Sequence, residues 1–90
     1  MDLKEKVSDA LRHSLDPEFI LLEDDEGISG FVVSSQFRGL SSLDRQVRIA
    51  HALRDSPKKF TKTERRQILA IAGLTPVEYE VIDLGRSRKR

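Results

Sequence analysis

The sequence predicts an α/β fold of the α+β kind, a three-stranded sheet with helices on one face in the order α-β-β-α-α-β-α. Three observations carry that expectation. The β-branched, aromatic-flanked run Phe31-Val32-Val33-Ser34-Ser35-Gln36-Phe37 gives way to Arg38-Gly39 and then to Ser41-Ser42 ahead of an apolar periodicity, which reads as strand, tight basic turn, helix. Thr75-Pro76-Val77-Glu78 joins an N-cap residue, a proline at the first helical position and a glutamate at the third, the strongest helix start in the chain. Finally, 90 residues make one small domain, and so short a chain cannot bury both faces of a sheet, so the helices fall on one of them. The expected domain is residues 1–85, followed by a basic tail, residues 86–90, with nothing to pack.

Each element follows from its local pattern. Leu3, Val7, Ala10, Leu11 and Leu15 recur at three- and four-residue steps, an amphipathic helix over residues 2–15. Asp16-Pro17 ends it, because the residue before proline is pushed out of the helical region. Phe19-Ile20-Leu21-Leu22 reads as a short strand, Asp24-Asp25-Glu26-Gly27 as a turn, and residues 28–35 as the second strand of a hairpin. From Ser41 or Ser42 as N-cap, Leu43, Val47, Ala50 and Leu53 mark one face of the next helix, with Ile49 widening it and Asp44 complementing the positive end of the dipole. Ser56-Pro57 closes that helix. Thr61-Lys62-Thr63-Glu64 fits a capping box for a short helical turn. The run Ile68-Leu69-Ala70-Ile71-Ala72 suits a buried strand or a helix segment equally by periodicity. Val77, Val81 and Leu84 supply the stripe of a last helix that runs to Gly85.

Composition narrows the function. Hydrophobic residues make up 38% and charged residues 34% of the chain, too apolar for full disorder, and no apolar stretch approaches the ~20 residues of a membrane span. The start, Met1-Asp2-Leu3-Lys4-Glu5, lacks the character of a signal peptide, and there is no cysteine, so a reducing cytoplasm is expected. Thiolate catalysis and cysteine-held metal are excluded with it, leaving His13 and His51, single histidines on two helices, as the only soft donors. The net charge of +1 hides a segregation: residues 1–30 hold three basic side chains against nine acidic ones, and residues 31–66 hold nine against three. Such a split creates a field although the total is nearly zero.

Enzymatic constellations are poor. The acidic turn beside Gly27 is a solvated turn unless something buries it, and burial or close pairing is what a working carboxylate needs. Ser34, Ser35, Ser41 and Ser42 have no base at motif spacing and no G-x-S-x-G, and neither phosphate-loop signature occurs around Gly27, Gly30 or Gly39. No catalytic residue, metal ligand or cofactor is expected.

The ordered pair of markers, valine-rich strand to Phe37-Arg38-Gly39 to a helix with Arg45 early in it, then Thr75-Pro76-Val77-Glu78-Tyr79, resembles the BolA-like family over roughly residues 7–79. The resemblance implies a fold similar to class II KH domains and makes residues 68–72 the third strand. It also implies a monothiol glutaredoxin as partner and an iron–sulfur cluster shared with it, held by a histidine just before the last strand and sometimes by a histidine or cysteine of the hairpin loop. In this chain the first position is Gln67, the loop has neither residue, and the histidine that follows the helix arginine in relatives is Gln46. Cluster binding in the family manner is therefore not expected.

What remains is the basic stretch. The resemblance implies DNA binding through the strand-to-helix turn and second helix, and Arg38, Gly39, Arg45, Arg48, Lys58, Lys59, Lys62, Arg65 and Arg66 are the residues that would meet phosphates of DNA or RNA. Arg45 and Arg48, three apart, are expected on one side of their helix, away from the Leu43 and Val47 stripe or at its edge. Phe37 and Phe60 suit base stacking but more ordinarily belong to a core. The Gly-x-x-Gly of a KH loop is replaced by Gly39-Leu40-Ser41-Ser42. Two readings follow: a regulatory protein binding nucleic acid through this basic surface, or an adaptor that docks a glutaredoxin-like partner without donating a ligand.

Overall fold

The computed structural model describes residues 2–88, and among them the expected order holds: α1 (Leu3–Leu15), β1 (Phe19–Asp24), β2 (Ile28–Val33), α2 (Ser42–Arg54), α3 (Lys62–Gln67), β3 (Ile68–Leu74) and α4 (Pro76–Arg88), with a 3-10 turn at Ser35–Phe37. β2 is the central strand, antiparallel to β1 and parallel to β3. The run at residues 68–72 becomes a strand because it completes the free edge of β2, a tertiary demand that periodicity cannot express.

Boundaries moved by a few residues. β1 reaches Asp24, shortening the hairpin turn, and β2 stops at Val33 because Ser34 leaves the ladder. The Ser34 hydroxyl is fully buried, donates to the Leu15 carbonyl at 2.7 Å and accepts from the Gln36 amide, tying the end of α1 to the end of β2. α1 closes at Asp16 in the left-handed region, just before Pro17. Ser41 is the N-cap of α2, and its hydroxyl accepts from the Asp44 amide. Both bonds of the capping box at Thr61 are present. α4 runs past Gly85 to Arg88, so part of the expected tail continues the helix; Lys89 and Arg90 lie outside the described residues.

Pleating sends alternate residues to opposite faces. Leu22, Ile28, Val32 and Ile71 join Val7, Ala10, Leu11 and Leu15 of α1 and Ile49 and Ala52 of α2 in one core, to which Phe37 and Phe60 also belong, so both phenylalanines are packing residues. The other face of the hairpin carries Phe19 and Phe31, on which the ring of Tyr79 from α4 settles with centroids 5.3 and 5.7 Å away. Two glycines are required by close approach. A Cβ on Gly30, at φ 151°, would run into the Leu21 carbonyl, and one on Gly73 would lie 2.9 Å from the Phe37 ring.

α2 is rotated from the expected orientation. Leu43, Val47 and Ala50 face solvent, while Ile49 and Ala52 are buried and Arg45 turns toward the body. The physical reason lies in β3, an edge strand whose outward carbonyls need donors. Gln46 Nε2 donates to the Ile71 carbonyl at 2.9 Å and Arg45 Nη1 to that of Gly73 at 3.0 Å, which fixes the helix with its polar pair along the β3 edge.

Candidate functional site

At the C-terminal end of β3 the polar groups form a closed set. Arg45 Nε donates to the Leu40 carbonyl at 3.0 Å, and its two terminal nitrogens grip the Glu78 carboxylate at 2.6 and 3.0 Å, the bidentate geometry that suits a guanidinium. Glu78 is also the third residue of α4: it accepts from the Thr75 amide at 2.9 Å while the Thr75 hydroxyl accepts from the Glu78 amide, a reciprocal cap. The Arg45 hydrogen bonds, then the Thr75 amide, hold the Glu78 carboxyl down at a pKa of about 2, against a smaller opposing effect of burial. The Arg45 side chain is 15% exposed.

Beside this set, α2, β3 and α4 enclose a groove of about 540 Å³ whose apolar lining comes from Ala72, Leu74, Val77, Val81 and Ile82. Its outer wall is uncovered: Val77 and Val81 are each 65% exposed, and Leu84 continues the same stripe into solvent. The expected apolar stripe of α4 therefore exists but packs on little of its own chain.

The nine residues expected to meet phosphates, eight of them basic, are spread over more than one part of the fold. Arg38 and Gly39 sit in the turn before α2, at the end of the sheet where β2 and β3 finish, while Lys58, Lys59, Lys62, Arg65 and Arg66 lie in the loop and short helix that lead into the start of β3. Arg48 is exposed on α2 and lines a shallow hollow with His51 and Gln36. Arg45 is consumed by Leu40, Gly73 and Glu78. Arg38, Arg48, Lys59, Lys62, Arg65 and Arg66 are exposed and form no ion pair among the described residues. On the inner side of α3, Lys6 bonds Glu64 at 2.9 Å and lies over the Phe60 ring, and that lysine, with the Thr61 amide, lowers the Glu64 pKa.

Gln67 is the last residue of α3, exposed, directly ahead of β3. Its carbonyl and the Leu69 side chain stand next to Gly27, so the hairpin turn and this position are neighbours in space. The donor set there does not fit an iron–sulfur cluster: an amide and hairpin carboxylates are hard oxygen donors, whereas iron in such clusters takes thiolate or imidazole. His13 and His51 are exposed on α1 and α2, and no group of three or more histidine, cysteine or acidic residues among the described residues could hold a metal.

Neither a family model nor a curated protein matches the sequence. Solved structures do. A Bol-like protein from Babesia bovis is 32% identical, with 92% of this chain and 95% of that one covered at a TM-score of 0.68. The chain belongs to the BolA-like family. BolA1 from Arabidopsis thaliana (22% identity, 87% and 96% covered, TM-score 0.63) and the BolA domain of SufE1 from the same plant (22%, 87% and 96%, 0.67) share the fold. Within this BolA-like framework the Arg45 and Glu78 clasp had no separate sequence signal: Arg45 looked like one more exposed cation, and Glu78 like a helix cap alone.

Proposed function

We propose that this BolA-like chain is a non-enzymatic adaptor of a reducing cytoplasm that docks a protein partner of the monothiol glutaredoxin kind along the groove between α2, β3 and α4, without donating a cluster ligand. The observation that carries it is the uncovered stripe of α4, Val77 and Val81 each 65% exposed above an apolar groove. An apolar surface that its own chain leaves bare is characteristic of a partner site. The kind of partner comes from the family resemblance. The Arg45 clasp stiffens the wall on which such a partner would rest. Calorimetric titration with a cluster-free monothiol glutaredoxin tests it: binding is expected, with Val81→Asp weakening it about tenfold or more. Absence of binding, or binding indifferent to that substitution, would refute the docking site.

A second reading, binding of DNA or RNA, is favoured by Lys59, Lys62, Arg65 and Arg66, exposed cations grouped around α3 with no ion pair among the described residues. Phosphate binding would weaken steeply with salt through counterion release. A shift assay at about 20 mM salt that retards neither DNA nor RNA removes this reading.

A further inference from the structure

The start of β3 carries both signs of charge side by side. On one flank is the hairpin turn, where Glu23, Asp24, Asp25 and Glu26 are all exposed; on the other is α3, with Lys62 and Arg66 one helical turn apart and exposed. None of these six side chains makes an ion pair or hydrogen bond to another among the described residues. Between the flanks stands Leu69, 59% exposed, the extra residue of the irregularity where β3 pairs with Ile28 and Ser29, with its side chain against Gly27. The arrangement has a consequence for partners. A surface of one sign selects a partner of the other sign, but a surface split into acidic and basic halves about an apolar centre is complementary to its own copy turned through a two-fold axis, since the acidic half then meets the basic half twice.

We propose that this end of the sheet is a self-association surface: two copies meet about a two-fold axis near Leu69, the hairpin of each against α3 of the other. The interface is small and electrostatic, so the dimer is weak and salt-sensitive, its charges being within reach of screening. It uses the N-terminal end of β3, whereas the lining of the α4 groove from this strand is Ala72 to Leu74, so the two surfaces are separable.

Charge reversal tests it. In Glu23→Lys/Asp24→Lys/Asp25→Lys the hairpin turn carries three lysines against one glutamate, so both halves of the surface become basic, and in Lys62→Glu/Arg66→Glu both become acidic; each variant alone repels its copy, but a mixture restores both sets of contacts. Sedimentation velocity of the full chain is expected to show dimer for the native protein at low ionic strength, a dissociation constant rising about tenfold or more toward physiological salt, monomer for each variant alone, and a one-to-one heterodimer on mixing. Circular dichroism confirms that each variant is folded, and heterodimer formation does so independently. A native protein monomeric at low salt, or folded variants that do not associate when mixed, would overturn the proposal. Val81→Asp is expected to leave the dimer intact, so failure of groove docking and failure of self-association are distinguishable.

Discussion

The two ends of β3 present the same chemistry and opposite outcomes. At its C-terminal end an arginine and a glutamate lock together, satisfy edge carbonyls and cap a helix. At its N-terminal end Lys62 and Arg66 of α3 and the hairpin carboxylates of Glu23, Asp24, Asp25 and Glu26 share one surface without forming an ion pair to one another among the described residues. The difference is burial. Where Arg45 is withdrawn from water, its donors must find acceptors, and the geometry converges on Glu78 and Gly73. Where Arg66 and Asp25 face water, hydration satisfies them, and their charge is available to a second molecule. Charge alone therefore does not mark a binding residue in this chain; its degree of satisfaction does.

The largest expected effect that bears on this contrast is Arg45→Ala. Removing the guanidinium strips bonds from Leu40, Gly73 and Glu78 at once, and a loss of about 2–3 kcal/mol of folding stability is expected in urea denaturation, against less than about 0.5 kcal/mol for Lys62→Ala or Arg65→Ala. Equal effects at the two ends would show that burial does not separate the clasp from the exposed cations of α3. Next is Tyr79→Ala, which removes the ring that α4 lays on Phe19 and Phe31; a cost of about 1–2 kcal/mol is expected, with loss of near-ultraviolet dichroism.

A pH series sharpens the contrast further. Glu78 titrates near 2 in the folded chain rather than at its ordinary 4.5, so its stabilising contribution is complete above about 4.5 and is lost as the pH falls toward 2. Glu64, lowered by Lys6, changes in the same direction. The acid-induced fall in Tm is expected to be shallower in Glu78→Gln than in the native chain. Because the Glu78 side chain is 43% exposed, solvent screening keeps the effect modest. The smallest effect belongs to Gln67→His, an exposed position whose side chain makes no hydrogen bond among the described residues: stability should stay within about 0.5 kcal/mol. Mixed with a cluster-loaded glutaredoxin, the variant and not the native chain should alter the visible spectrum, since only the variant offers an imidazole there. An identical response from both chains would contradict the mismatch assigned to Gln67.

Much of the fold was legible because its signals are local. The step pattern from Leu3 to Leu15, the caps at Ser41, Thr61 and Thr75, and the run of β-branched residues before Ser34 each reach only a few residues along the chain. The site was less legible. Leu43 and Val47 have the spacing of a buried stripe, yet α2 turns them to solvent because Arg45 and Gln46 are needed at the β3 edge, 28 and 25 residues away in the chain, respectively, from the β3 carbonyls they serve. Val77 and Val81 have the same spacing as core residues in α1, and nothing local distinguishes a stripe that will be covered from one that will not.

By itself the sequence determined the order of elements, the helix starts, the absence of thiol chemistry and the substitution of glutamine where the family resemblance implies a cluster ligand, since each is written in residue identity and short-range geometry. Only the folded chain shows that Arg45 closes the clasp with Glu78 instead of facing solvent, and that the acidic hairpin and basic α3 share one end of the sheet, while the strand at residues 68–72, open by periodicity, follows the family resemblance. Those outcomes depend on which distant groups meet and what burial then requires of them.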